Sequence, residues 1–244
     1  MRNIKLTIAY DGTDFQGWQI QKSGRTVQGE IQKGLSRMHK SEIKVHCAGR
    51  TDSGVHANGQ VINFPSNLEI PADQYTRAVS SFFPKDISVI RSEEVDESFH
   101  ARYSAVMRHY KYYIFPSRVR VPQYRLYSLR TVHQPDLINL NRMASVLVGE
   151  HDFTTFSTPN EQVPNRMRRV YAASFHPQGD FLVFRISGNA FLWKMVRSIV
   201  GSLLEYDEKG FDANHVRHAL ESRDRGYAGM TAQARGLFFD RVDY

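Results

Sequence analysis

Cysteine is almost absent from this 244-residue chain, with Cys47 alone. An intramolecular disulfide and a cysteine-based zinc cluster are therefore excluded, and a reducing, cytoplasmic setting is the default expectation. No apolar run approaches the ~18 residues of a membrane helix. The first residues meet charge too often, at Arg2, Lys5 and Asp11, to read as a signal peptide. Low-complexity tracts and short repeats are missing. So are the common nucleotide and hydrolase signatures. Gly12-Thr13-Asp14-Phe15-Gln16-Gly17 has the outer glycines of a phosphate loop, but Trp18-Gln19 stands where Lys-Ser/Thr is required. There is no G-x-G-x-x-G and no G-x-S-x-G. His215 and His218 share a helical face without partners at metal-ligand spacing, so they read as structural or surface residues. No cofactor or metal is signalled. Apolar content of 41% and charged content of 23% are ordinary globular values, which sets disorder and fibres aside.

Acidic residues are the scarcer charge: 32 Lys and Arg against 25 Asp and Glu leave a net charge of +7. A basic surface favours polyanionic partners through counterion release. Between Ser98 and Pro135 there is no acidic residue, and Arg102, Arg108, Lys111, Arg118, Arg120, Arg125 and Arg130 alternate with Tyr103, Tyr110, Tyr112, Tyr113, Tyr124 and Tyr127. Cations for phosphate with rings for base stacking suit single-stranded or looped RNA. A solvated basic strand with core tyrosines has the same composition, and both readings stand at this point.

Periodicity gives the plan of the first half. Ile4, Leu6, Ile8 and Tyr10 alternate as a half-buried strand. Thr26 can cap a helix with the stripe Val27, Ile31, Leu35 and Met38. Ile43–Cys47, Val61–Phe64 and Ile87–Val95 read as strands, and Pro71 opens a helix with Tyr75, Ala78, Val79 and Phe82 at helical spacing. The order β-α-β-β-α-β is the split βαβ, or ferredoxin-like, unit. The second half varies the same plan. A strand over Val106–Phe115 is followed by a long basic loop and a helix through Leu137 and Leu147. Strands follow at Arg169–His176 and Phe181–Ser187, an apolar helix at Ala190–Tyr206, a short helix at Asp212–Glu221 and a strand at Gly236–Val242. The expected fold class is α+β: two ferredoxin-like halves with antiparallel sheets, residues 1–103 and 104–244.

Gly49-Arg50-Thr51-Asp52-Ser53-Gly54-Val55-His56-Ala57 stands out. It follows an apolar strand and places Asp52 in a strand-end loop, where reactive groups are often displayed. An isolated Asp-Ser-Gly is also a common turn, with the aspartate bonding its own backbone. On spacing alone the turn is the commoner case.

This stretch resembles the signature of the bacterial tRNA pseudouridine synthase A family. The resemblance extends over almost the whole chain: Tyr10-Asp11-Gly12 with Phe15-x-Gly17-x-Gln19, Thr26-Val27-Gln28, Phe99-His100-Ala101-Arg102, Arg108-x-Tyr110-x-Tyr112, Gly149-x-His151-Asp152-Phe153 and Phe191-Leu192-x-x-Met195-Val196-Arg197. Two departures put local shape and RNA contacts in question. Gln233 stands where the family usually has proline, and Trp193-Lys194 where histidines are frequent.

The resemblance implies the pseudouridine synthase fold and a cofactor-independent isomerase. The uracil of a tRNA uridine is detached from ribose C1′, rotated and rejoined through C5. Positions 38, 39 and 40 of the anticodon stem-loop are the implied targets, and a cytoplasmic homodimer the implied assembly. Asp52 is implied as the catalytic carboxylate, attacking C1′ or taking a proton from C2′. Either role needs its charge, which an adjacent arginine favours. The resemblance gives that part to Arg197; alone, Arg197 reads as a polar position on an apolar helix. Tyr110 is implied to stack on the target base, and its hydroxyl can help remove the C5 proton. Arg108, Tyr110 and Tyr112 share one strand face, and core packing with bonded hydroxyls is the competing account for the tyrosines. The target nucleotide must leave its stack. Arg50 is the candidate for flipping and RNA binding, with Arg102, Arg108, Arg118, Arg120, Arg125, Arg166, Arg168 and Arg169 as backbone contacts. Two other readings share the charge pattern: a non-catalytic RNA-binding protein and a metal-dependent RNA hydrolase.

Overall fold

The computed structural model describes residues 1–159 and 163–244. The chain forms two compact units, Met1–Val106 with Phe238–Tyr244, and Met107–Leu237.

In the first unit, β1 (Arg2–Tyr10) buries Ile4, Leu6 and Ile8 completely and leaves Lys5 and Thr7 partly exposed. Each such aliphatic side chain contributes roughly 1.5–3 kcal/mol when removed from water. β1 is central, pairing antiparallel with β3 (His56–Ser66) on one side and β4 (Ile87–Val95) on the other. Helix α1 (Val27–His39) starts where the Thr26 hydroxyl accepts the Gly29 N–H. Val27, Ile31 and Leu35 are buried as the stripe predicts, but in the last turn His39 takes the inner place expected of Met38. Its Nδ1 lies 2.8 Å from the Leu35 carbonyl and its Nε2 2.9 Å from the Ser66 hydroxyl, so both ring nitrogens have partners.

The second strand is shorter than the pattern suggests. Of this segment only His46–Cys47, β2, pairs with β3, while Ile43 and Val45 are buried outside the ladder. The helix after Pro71 is also short: a 3₁₀ turn over Ala72–Gln74, then α2 (Tyr75–Ala78). Thr76 and Ser80 donate their hydroxyls to the Asp73 and Arg77 carbonyls, and Pro84 disfavours helix at the residue before it. The β-α-β-β-α-β order is complete in this unit. The last strand of the chain, β10 (Leu237–Asp243), joins it as well, with Phe238 and Phe239 parallel to His56 and Ala57.

The second unit contains β5 (Met107–Pro116), β6 (Leu129–Thr131), α3 (Leu137–Ser145), β7 (Gly149–Asp152), β8 (Met167–Gln178), β9 (Phe181–Gly188), α4 (Met195–Glu208) and α5 (Ala213–Ser222). Its strands run antiparallel in the order β5-β9-β8-β7, with β6 parallel along β5. β6 interrupts what the sequence presents as one long basic loop. The apolar helix does not begin at Ala190. The Asn189 carboxamide oxygen accepts the N–H groups of Ala190 and Arg169, and Lys194 has φ of 59°, so residues 189–194 form a loop and α4 starts at Met195. That shift puts Arg197 in the first turn of the helix. Among the described residues, no helix is long and apolar enough to cross a membrane.

Candidate active site

The loop carrying Asp52 is held by its backbone on both flanks. It leaves β2 at Ala48, whose N–H donates to the Val61 carbonyl. Gln60, completely buried, donates Nε2 to the Gly49 carbonyl at 2.6 Å. The Trp18 N–H donates to the Thr51 carbonyl, and the Thr51 hydroxyl lies 2.8 Å from the Tyr10 hydroxyl in a buried pair. Burial pushes the Tyr10 phenol well above its ordinary range, so it stays neutral. The Val55 N–H returns to the Asp52 carbonyl, closing a turn in which Gly54 takes φ of 76°. A turn of the kind expected of Asp-Ser-Gly is therefore present, closed by the Asp52 carbonyl. The Asp52 side chain is half-buried, between exposed Arg50 and Ser53.

The glycines of the first loop are needed for this clamp. A Cβ on Gly12 would overlap the Val55 carbonyl, and Gly17, at φ of 90°, would bring one within 2.9 Å of the Thr51 carbonyl. Phe15 completes the contact by accepting from the Ser53 hydroxyl and the Gly54 N–H. His56 is a positioning residue: its Nδ1 accepts the Gly12 N–H at 3.0 Å, and its buried ring stacks on Phe238 at 4.6 Å. Gly12, Gly17 and His56 were legible only as motif letters, and Gln60 stood in no motif; their work is long-range backbone contact. Gly12→Ala is expected to cost about 1–3 kcal/mol, as overpacking typically does, and to lower activity with it. A thermal melt unchanged from the parent protein would contradict the clamp.

In the second unit, β5 pairs Arg108 with Gly188, Tyr110 with Ile186 and Tyr112 with Phe184. Tyr110 and Tyr112 are both buried but differently placed. Tyr112 donates its hydroxyl to the Gln233 carbonyl at 2.7 Å and is raised well above the ordinary phenol range by burial. It is the core ring with a bonded hydroxyl. Tyr110 presents its ring edge-on to Phe191 at 5.1 Å, and Arg108 donates to the Asn189 carbonyl at 2.6 Å. Both thus buttress the 189–194 loop that leads into α4.

Arg197 is fixed from two directions. Its Nε donates to the Ala232 carbonyl at 2.8 Å, and the Ala232 N–H donates back to the Arg197 carbonyl. The segment supplying Ala232 is tied to α4 by Gly229 N–H to the Ser202 hydroxyl and Met230 N–H to the Glu205 carboxylate. Bonds from Lys209 and then from Met230 hold the Glu205 carboxyl below its ordinary range. A depressed carboxyl stabilises the fold above its unfolded value and loses that contribution as pH falls through the folded one. Glu205→Gln is thus expected to lower Tm by a few degrees at pH 7, with the gap to the parent protein closing in melts below about pH 4. A gap that persists at low pH would contradict this.

The Gln233 departure leaves the backbone unaltered: its φ of −60° and ψ of 146° are values proline itself adopts. Trp193, half-exposed, carries the Lys194 ammonium 5.0 Å from its ring centroid.

The remaining arginines divide. Arg50 and Arg102 are exposed on the first unit. Arg118, Arg120 and Arg125 are exposed around the β5–β6 connection of the second, where Arg125 donates to the Pro122 carbonyl. Arg166 reaches the Ser157 hydroxyl, Arg168 donates to the Asn165 and Met167 carbonyls, and Arg169 pairs with Glu150 at 2.9 Å. His215 is a packing residue, stacked on Phe211 at 4.2 Å and edge-on to Tyr206 at 4.5 Å. Among the described residues, no group of three or more His, Cys, Asp or Glu could hold a metal ion.

A family model described as tRNA pseudouridine synthase matches residues 6–104 and 143–244, so this α+β architecture is the pseudouridine synthase fold. Proteins named tRNA pseudouridine synthase A match the chain over its length. The relative from Exiguobacterium sp. is 40% identical, covering 100% of this chain and 98% of its own. Those from Treponema denticola and Borrelia duttonii are 44% and 40% identical, covering 100% of this chain and 93% and 100% of theirs. Among solved structures, the "Crystal Structure of a Cbf5-Nop10-Gar1 Complex" aligns with 97% of this chain and 49% of that chain at 15% identity, with a TM-score of 0.40. The chain belongs to the tRNA pseudouridine synthase A family, whose reaction isomerises uridine to pseudouridine in tRNA.

Proposed function

We propose that the protein acts on uridines 38, 39 and 40 of the anticodon stem-loop, with Asp52 as the catalytic carboxylate. The observation that carries this reading is the loop itself. Its peptides are fixed by Gln60, Trp18, Phe15 and the two glycines, so Asp52 sits on a rigid support rather than on a wandering turn. In the proposed mechanism the target nucleotide is flipped out of its stack, at a cost of a few kcal/mol. Arg50, two residues from Asp52, supports the extruded state. Arg197 orients the carboxylate; the Nε–Ala232 bond that fixes its guanidinium plane suits that part. Tyr110 stacks on the uracil, while Asp52 acts at C1′ or C2′ of the ribose and uracil rejoins through C5.

Arg102, Arg108, Arg118, Arg120, Arg125, Arg166, Arg168 and Arg169 are proposed as backbone contacts that position tRNA without reading its sequence. Arg169 is the weakest of these, since Glu150 already pairs with it. Three adjacent target positions imply recognition by shape, and a cytoplasmic homodimer completes the proposal.

The test is to incubate unmodified tRNA with the protein alone and map pseudouridine along the RNA. Pseudouridine confined to positions 38–40 is expected; modification elsewhere would overturn the assignment. Affinity for tRNA should fall with salt by a log–log slope of about −0.7 to −0.9 per phosphate contact, and a flat response in a binding titration would contradict the electrostatic account.

A further inference from the structure

Three rings lie in a row on the first unit, beside the segment that leads to Asp52. His46 of β2 lies 4.3 Å from His100, and His100 lies 4.4 Å from Tyr103, with interplanar angles of 39° and 35°. Tyr103 ends the row and is 77% exposed, far more than a packing ring requires. The turn that carries it is immobilised from below. The Ala101 N–H donates to the Asn63 carboxamide oxygen, and the Tyr244 hydroxyl donates to the Ala101 carbonyl, both at 2.8 Å. The Ser104 N–H donates to the His100 carbonyl, and the Ser104 hydroxyl accepts from the His100 N–H. His100 Nδ1 accepts the Arg102 N–H, which is compatible with a neutral ring; burial and the neighbouring His46 lower its pKa in the same sense.

Cations flank the row. The Arg102 guanidinium lies 5.9 Å from the Tyr103 ring centroid. Arg50 and Arg102 both act electrostatically on the Cys47 thiol at the end of β2, which burial nonetheless pushes up to about 12. The Asp96 carboxylate at the start of the turn is bonded to the Ser98 N–H and hydroxyl.

An exposed ring backed by two imidazole rings, on a fixed turn, beside two arginines, is a receptor for a flat group attached to an anion. We propose that Tyr103, backed by His100 and His46, stacks on an unpaired nucleobase of the bound RNA while Arg102 and Arg50 take the adjoining phosphate. Stacking reads no base identity, so the site positions the RNA near the Asp52 loop. The identity of that RNA as a tRNA anticodon stem-loop rests on the function proposed above.

The test uses the intact protein with Tyr103→Leu and Tyr103→Phe, and an anticodon stem-loop RNA as probe. Leu is expected to raise Kd and KM by about 5- to 100-fold, the usual weight of one stacked base. Phe should stay within about twofold of the parent protein, and kcat at saturation and Tm should be unchanged in both. Parent-like binding by Tyr103→Leu would overturn the stacking site, as would equal losses in Leu and Phe. If ring-dependent binding holds but no pseudouridine forms at positions 38–40, the site stands and the proposed target falls. If pseudouridine forms normally and Leu changes neither Kd nor KM, the site alone falls.

Discussion

Asp52→Asn is expected to lower pseudouridine formation by ~10⁴-fold or more while leaving Kd for tRNA within a few fold. Losses of this size follow removal of a group that attacks the substrate or takes its proton. Asparagine matches aspartate in size but has neither the charge nor the basicity for either role. Nor should it unfold the loop. The Asp52 carbonyl, which asparagine keeps, accepts the Val55 N–H, and the flanking peptides are held by Trp18, Gln60 and Phe15. The prediction thus separates chemistry from shape. Nucleoside analysis of digested tRNA reads the first, and a filter-binding titration the second. Matching losses in both would make Asp52 a binding residue.

Arg197→Lys is expected to lower kcat by about 10²- to 10³-fold with a much smaller change in Kd. Both side chains are cations, so the difference is geometric. Arginine spends Nε on the Ala232 carbonyl and thereby fixes the plane of its remaining donors. Lysine has one rotatable ammonium and cannot reproduce a planar fork. If Arg197 orients the carboxylate, its replacement misdirects the reacting atom, and small misplacements are costly there. If it only touches a phosphate, lysine should serve nearly as well, and rate and affinity should fall together by a small factor. Steady-state kinetics beside the binding titration discriminates the two.

The first unit was readable where a local pattern carried the signal. Alternation gave β1, Thr26 gave the start of α1, and Ile87–Val95 gave β4 with its observed limits. Elements whose existence depends on a distant partner were not. β6 and β7 have three and four residues, too few for a period to show, and exist because β5 and β8 lie alongside. The parallel pairing of β10 with β3 joins Phe238 to His56, far beyond what any window of sequence displays. The start of α4 was misplaced because Phe191 and Leu192 continue its apolar stripe, while Asn189 and Lys194 impose a loop. In the candidate site, chemistry-bearing residues stood out by type, whereas their supports did not. A glycine admitting a carbonyl, a buried glutamine reaching Gly49 and a histidine accepting a backbone N–H look ordinary until the fold brings their partners near.

The most direct measurement is single-turnover release of tritium from tRNA labelled at uracil C5, with protein in excess and nothing else added. Complete release by the parent protein, and none by Asp52→Asn under conditions where it binds all the tRNA, is the result expected of a carboxylate acting on the ribose. Release by Asp52→Asn at the parental rate would contradict it.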